Sequence, residues 1–156
     1  MIATTGPLRN PSSGHGSQKT ASLKRNDHAT LCFDLIAGRS ENQIKKILDV
    51  THEVMVNAFN VPERDRYQIV REHLPSRMII EDTGLGIERT ANRMVLQVTT
   101  RPRSRAMKQA FYRSLVERLA DGCGISPNDV VVTFVTNTDE EWSFGLGRAQ
   151  FLTGEL

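Results

Sequence analysis

Cysteine, tryptophan and long apolar runs are all scarce in this chain of 156 residues, which has two cysteines and one tryptophan. Cys32 lies in an apolar stretch and Cys123 at a helix end, without the paired spacings of zinc or redox sites. Neither a disulfide scaffold nor a thiolate metal centre is expected, and a reducing compartment, the cytoplasm, is the simplest setting. No run approaches the ~20 apolar residues that span a bilayer, and no hydrophobic segment suits a secretory signal. A membrane is therefore not an expected partner. Nucleic acid is not expected either, because the chain lacks a clustered basic face with aromatic platforms.

The basic excess sits at one end. Residues 1–28 hold Arg9, Lys19, Lys24 and Arg25 against Asp27, a formal +3; the whole chain is +2, which leaves −1 for residues 29–156. The first stretch is rich in Ser, Thr, Gly and Asn and has no apolar periodicity, the composition of a disordered basic extension. A transit peptide shares that basic, acid-poor character, but no convincing apolar face is present. Residues 29–156 are enough for one domain with a genuine core.

Within that domain the pattern doubles. Residues 30–36 read as a strand, and Ser40 followed by Gln43 is a capping-box signature. Ile44, Ile47, Leu48, Thr51, Val54, Met55 and Ala58 then recur at helical spacing, and Asn60-Val61-Pro62 ends the helix. Residues 66–73 form a second strand with Tyr67 and Ile69 on one face. The plan repeats with a strand over 93–100, Ser104 as a cap, and Met107, Ala110, Phe111, Leu115 and Leu119 along one helix face. Gly122 and Gly124 stop that helix, and residues 130–135 form the last long strand. Arg39-Ser40 and Arg103-Ser104 lie 64 apart, as do Asp65 and Asp129, each aspartate just ahead of a strand. The shared offset predicts tandem β-α-β repeats of the α/β (α+β) class. Their crossovers have one preferred hand, so a four-stranded sheet carries both helices on one face. Residues 94–96 and 130–132 are too continuously apolar for a sheet with a wet side, which predicts self-association.

Arg101 and Arg103 flank Pro102 where the apolar strand ends. Side chains two apart on an extended chain share a face, and planar guanidinium forks match carboxylate oxygens two at a time. The pair is a candidate clamp for a small carboxylate, the bland alternative being two solvated arginines before a helix.

Several passages together carry a resemblance: Phe33-Asp34-Leu35-Ile36 running into Gly38-Arg39-Ser40, Asp65-Arg66-Tyr67-Gln68, Glu81-Asp82-Thr83-Gly84-Leu85-Gly86, Arg101-Pro102-Arg103-Ser104, Cys123-Gly124-Ile125-Ser126-Pro127 and Trp142-Ser143-Phe144-Gly145. In this order, over residues 29–156, the chain resembles the tautomerase superfamily and within it the malonate semialdehyde decarboxylases. The resemblance implies a homotrimer, no metal and no organic cofactor. It implies that Asp65, Arg101 and Arg103 form the polar machinery and that Trp142, Phe144 and Phe151 form an apolar wall. It also implies an amino-terminal catalytic proline, and there this sequence departs: Ala29 occupies the place, behind His28 and the basic extension. An internal alanine nitrogen is an amide and neither takes up a proton nor attacks a carbonyl.

The expectation is a decarboxylase acting weakly on a small 3-oxo acid, with the carboxylate held by the two arginines. The competing expectation is a non-catalytic carboxylate-binding or structural trimer. Proteolysis freeing the amine of Ala29 would restore a base, although no cleavage signal is evident. His28, next to the vacated position, is a possible substitute base, but its place in the extension favours a flexible tail residue. Cys32 reads as a buried inert thiol, His52 as a surface or packed helix residue, and His73 lacks partners at metal spacing. Gly84-Leu85-Gly86 and Gly145-Leu146-Gly147 read as turns rather than nucleotide loops.

Overall fold

The computed structural model describes residues 28–156, so the reading of residues 1–27 as a disordered or transit segment lies outside the described residues. Four strands form the sheet: β1 (Ala29–Ile36), β2 (Tyr67–His73), β3 (Met94–Thr100) and β4 (Val130–Thr136), in the order β2-β1-β3-β4. β1 pairs parallel with β2 and β3 parallel with β4, while β1 and β3 run antiparallel at the centre. Each parallel pair is joined by a long helix, α1 (Glu41–Phe59) or α2 (Arg105–Cys123), as a parallel connection requires. The doubled β-α-β plan is thus the observed architecture, with strand ends shifted by a single residue from those the periodicity suggests.

The alternation of the central strands explains where the helices sit. Leu31, Phe33 and Leu35 of β1 lie opposite Val98, Leu96 and Met94 of β3, and all six are fully buried. They meet Ile44, Ile47, Met55 and Phe59 of α1 and Phe111, Leu115 and Leu119 of α2 in one core. Phe59 stacks on Phe111 at 5.0 Å, tying the two helices together above the sheet. Ala110, expected on the buried stripe of α2, is exposed and Met107 is only partly buried, so the fully buried stripe is Phe111, Leu115 and Leu119.

Local chemistry sets the helix ends. Ser40 and Gln43 form the reciprocal capping box at the start of α1, and Asn60 ends it in the left-handed region at φ 53°. Ser104 caps α2, and Gly124 closes it at φ 66° with its N–H on the carbonyl of Ala120. The carboxylate of Asp82 accepts the backbone N–H groups of Gly84, Leu85, Gly86 and Ile87. The Gly84-Leu85-Gly86 stretch is thus a turn organised around an aspartate.

Beyond β4 a single turn at Asp139–Glu141 leads to the short helix α3 (Gln150–Thr153). Gln150 holds this segment in place. Its side chain receives the N–H of Phe144 at 2.9 Å and donates to the carbonyl of Gly145 at 2.8 Å.

Candidate functional site

The site lies at the end of the sheet where β1 begins, β3 ends and β2 begins. Ala29 opens β1 opposite Thr100, the last residue of β3, and is fully buried. Its nitrogen is a peptide nitrogen following His28, as the sequence requires. Thr100 anchors the preceding residue, its hydroxyl donating to the carbonyl of His28 at 3.3 Å.

That anchor corrects the expectation for His28, whose ring is largely buried rather than loose in solvent. Its Nδ1–H donates to Asp65. Its ring centroid lies 4.5 Å from that of Phe144, 5.4 Å from Phe151 and 6.3 Å from Tyr67. Position in the sequence suggested a tail residue; the signal for the opposite outcome is that His28 directly precedes a buried strand and has an aspartate and aromatics to receive it.

Asp65 is placed by a tight turn, its N–H bonding the carbonyl of Pro62 at 2.9 Å. It is 3% exposed, and burial pushes its carboxyl above the ordinary aspartate range. His28 opposes that shift by charge and hydrogen bond, and His52 and Arg103 oppose it by charge alone. His52 is packed, donating to the carbonyl of Glu63 at 2.8 Å.

The two arginines take different environments. The Arg101 guanidinium lies over the ring of Phe151, 4.8 Å from its centroid, and pairs with Asp139. Arg103 is 9% exposed, donates from Nε to the Thr100 hydroxyl at 3.0 Å, and lies over the Phe59 ring at 5.1 Å. Trp142 and Phe144 stack at 5.4 Å and 7°, and Phe144 meets Phe151 edge-on at 5.3 Å. Phe151 therefore touches both Arg101 and His28, and Asp65 links His28 to the charge of Arg103. All the residues expected from sequence, Ala29, Asp65, Arg101, Arg103, Trp142, Phe144 and Phe151, lie in this connected group.

A cleft of about 210 Å³ adjoins His28 and Asp65 and is lined by them with Pro62, Arg64, Tyr67 and Leu156. At ~30 Å³ per water this is about seven water volumes, a size for a small acid. Neither arginine lines it. Tyr67 and Arg64 are not singled out as site residues by the sequence, although Tyr67 belongs to the Asp65-Arg66-Tyr67-Gln68 passage and Arg64 directly precedes it.

The sheet positions of the other candidates are as follows. Cys32 is 7% exposed. His73 Nε2 sits 2.7 Å from an oxygen of Asp34, which Arg71 also approaches at 3.6 Å. Among the described residues no three His, Cys, Asp or Glu side chains gather as metal ligands. Among them also, no helix is long and apolar enough to cross a membrane.

Comparison with known proteins gives one consistent result. Two families, both described as tautomerase enzymes, match residues 65–145 and 31–87. The probable tautomerase YrdN of Bacillus subtilis (strain 168) is 58% identical over 126 residues, covering 81% of this chain and 98% of the relative. A crystal structure of malonate semialdehyde decarboxylase, described as a basis for its decarboxylase and hydratase activities, is 53% identical. It superimposes with a TM-score of 0.79 over 81% of this chain and 98% of that one. A second malonate semialdehyde decarboxylase, inhibited by 3-bromopropiolate, is 38% identical with a TM-score of 0.77, covering 81% and 97%.

Proposed function

Because the chain belongs to the tautomerase family, we propose that it is a cofactor-independent decarboxylase of a small 3-oxo carboxylic acid, malonate semialdehyde or a bulkier analogue, working as a homotrimer. Loss of a 3-oxo acid's carboxylate leaves an electron pair that must be accepted by the neighbouring carbonyl, so the barrier falls when a cation or donor faces that oxygen. Arg101 and Arg103 hold the departing carboxylate, turned so that the breaking bond overlaps the carbonyl π system. Trp142, Phe144 and Phe151 keep water away and strengthen each charge inside.

The observation that carries this reading is the seat of Arg101. Its guanidinium rests on Phe151 while paired with Asp139, whose side chain is 38% exposed. The Arg101 side chain is only 18% exposed, so a substrate carboxylate that takes the place of the more open Asp139 meets a guanidinium partly screened from water. The likeness to a decarboxylase at 53% identity supports this reaction class.

The buried peptide nitrogen of Ala29 favours a second reading, a carboxylate-binding trimer without turnover. Release of carbon dioxide from malonate semialdehyde, measured beside calorimetric titration with malonate, separates the two. The decarboxylase reading expects turnover that falls about 10²–10³-fold in Arg101→Ala, the usual loss for one preorganised charge-stabilising donor. Equal rates for Arg101→Ala and the unaltered chain overturn the arginine-centred mechanism. Saturable malonate binding without carbon dioxide release favours the binding trimer.

A further inference from the structure

The internal duplication provides a comparison within one molecule. Asp65 and Asp129 are equivalent positions of the two repeats, each closing a turn with its N–H at 2.9 Å from the carbonyl three residues back. Each is buried, at 3% and 1% exposure. Each also has an arginine of the other repeat at hand, Arg103 for Asp65 and Arg39 for Asp129. From there the two ends differ. Asp129 is fully committed to the backbone and side chain of Thr90, accepting its N–H and its hydroxyl at 2.6 Å each. Asp65 instead accepts from a histidine, and its Oδ2 is buried without a hydrogen-bond partner among the described residues.

The other nitrogen of that histidine is in the same condition. His28 Nε2 is buried and has no partner among the described residues, in a setting of aromatic rings that supply none. A buried nitrogen without a partner costs stability unless something is meant to occupy its place. With Nδ1–H held by Asp65, the tautomer is fixed and Nε2 is the nitrogen left to exchange a proton.

We propose that His28 is the catalytic acid and base of this site, its Nε2 facing the substrate carbonyl oxygen, with Asp65 as its positioning residue and Ala29 a bystander. The inference rests on the decarboxylase reading above and names the group that reading leaves open. In the chemical step the bond between the α-carbon and the carboxylate carbon breaks, and its electron pair becomes the enol double bond. The Nε2 proton of the imidazolium passes to the carbonyl oxygen as carbon dioxide leaves. The enol carbon then takes a proton from water while the enol O–H returns its proton to Nε2. One solvent proton is consumed and the histidine is restored. Asp65 balances the imidazolium charge throughout. The other titratable or charged groups that bear on the pair are Tyr67 beside the ring, His52 and Arg103 acting on Asp65, and Arg64 in the adjoining cleft.

The test uses the full chain, malonate semialdehyde for turnover and malonate for binding. His28→Gln is expected to lower kcat by about 10²–10⁴-fold, the span of a general acid or base, while malonate affinity is kept. His28→Ala is expected to regain turnover when imidazole is added. Asp65→Asn is expected to displace the pH profile of kcat, which a purely structural role would not do. Unchanged kcat in His28→Gln, with Arg101→Ala still impaired, overturns the inference and leaves the arginine mechanism standing. Impaired His28→Gln with unaffected Arg101→Ala supports the inference and overturns that mechanism instead.

Discussion

At the residue scale, Asp65 is a carboxylate kept where a carboxylate is unfavourable. Burial raises its proton affinity in the folded state. A group whose folded pKa lies above its unfolded value stabilises the fold at pH below the unfolded value and loses that contribution as pH rises through the folded one. At neutral pH the charged Asp65 is therefore a burden on stability, a common price of a working site. Asp65→Asn keeps an acceptor for His28 and removes the desolvated charge. Thermal melts are expected to show the variant more stable than the unaltered chain near neutral pH, with the gain shrinking as pH falls into the carboxylate range. A variant that melts lower at neutral pH would show that the His28 pairing outweighs desolvation.

At the element scale, the turn at residues 82–87, in the connection between β2 and β3, is organised by one side chain rather than by a core. The four N–H bonds to Asp82 keep its carboxyl below the ordinary range, those from Gly86 and Ile87 weighing most. The contribution is present above the ordinary aspartate pKa and lost as pH falls through the depressed one. Asp82→Ala is expected to strip the amides of residues 84–87 of hydrogen-exchange protection while the amides of β1 and β3 stay protected. Protection unchanged at those four amides would sink this account. The contrast with β1 shows what is legible in a sequence. Leu31, Phe33 and Leu35 alternate with polar or small neighbours, so strand, face and core follow from the period of two. Ser40 and Gln43 announce a helix start because capping is local chemistry. The Asp82 turn and the seat of His28 depend on partners set by folding, four amides in one case and a turn 37 residues away in the other. Arg103 was legible as a residue at a strand end. Its burial against Phe59 was not, because that contact joins the ends of α1 and β3.

At the scale of the whole molecule, the sheet has a second face that neither long helix covers. Register places Tyr67 and Ile69 of β2, Cys32 of β1, Val95 of β3 and Val131 and Val135 of β4 on it. Ile69 is 49% exposed and Val135 44%, while Gln97, Thr133 and the Asp34, Arg71 and His73 group lend the face polar partners. Apolar strands with polar pairs among them are suited to burial against copies of the same surface. This face also runs on to His28, which has the same parity as Thr30 and Cys32, so association would close the site on the side the chain leaves open. Ile69→Asp places a charge on this face, on the edge strand β2, without touching the core beneath the helices. Sedimentation is expected to give a trimer for the unaltered chain and a smaller species for Ile69→Asp, with the helical circular dichroism retained and turnover reduced. An unaltered chain that sediments as a monomer and still turns over would separate the site from assembly.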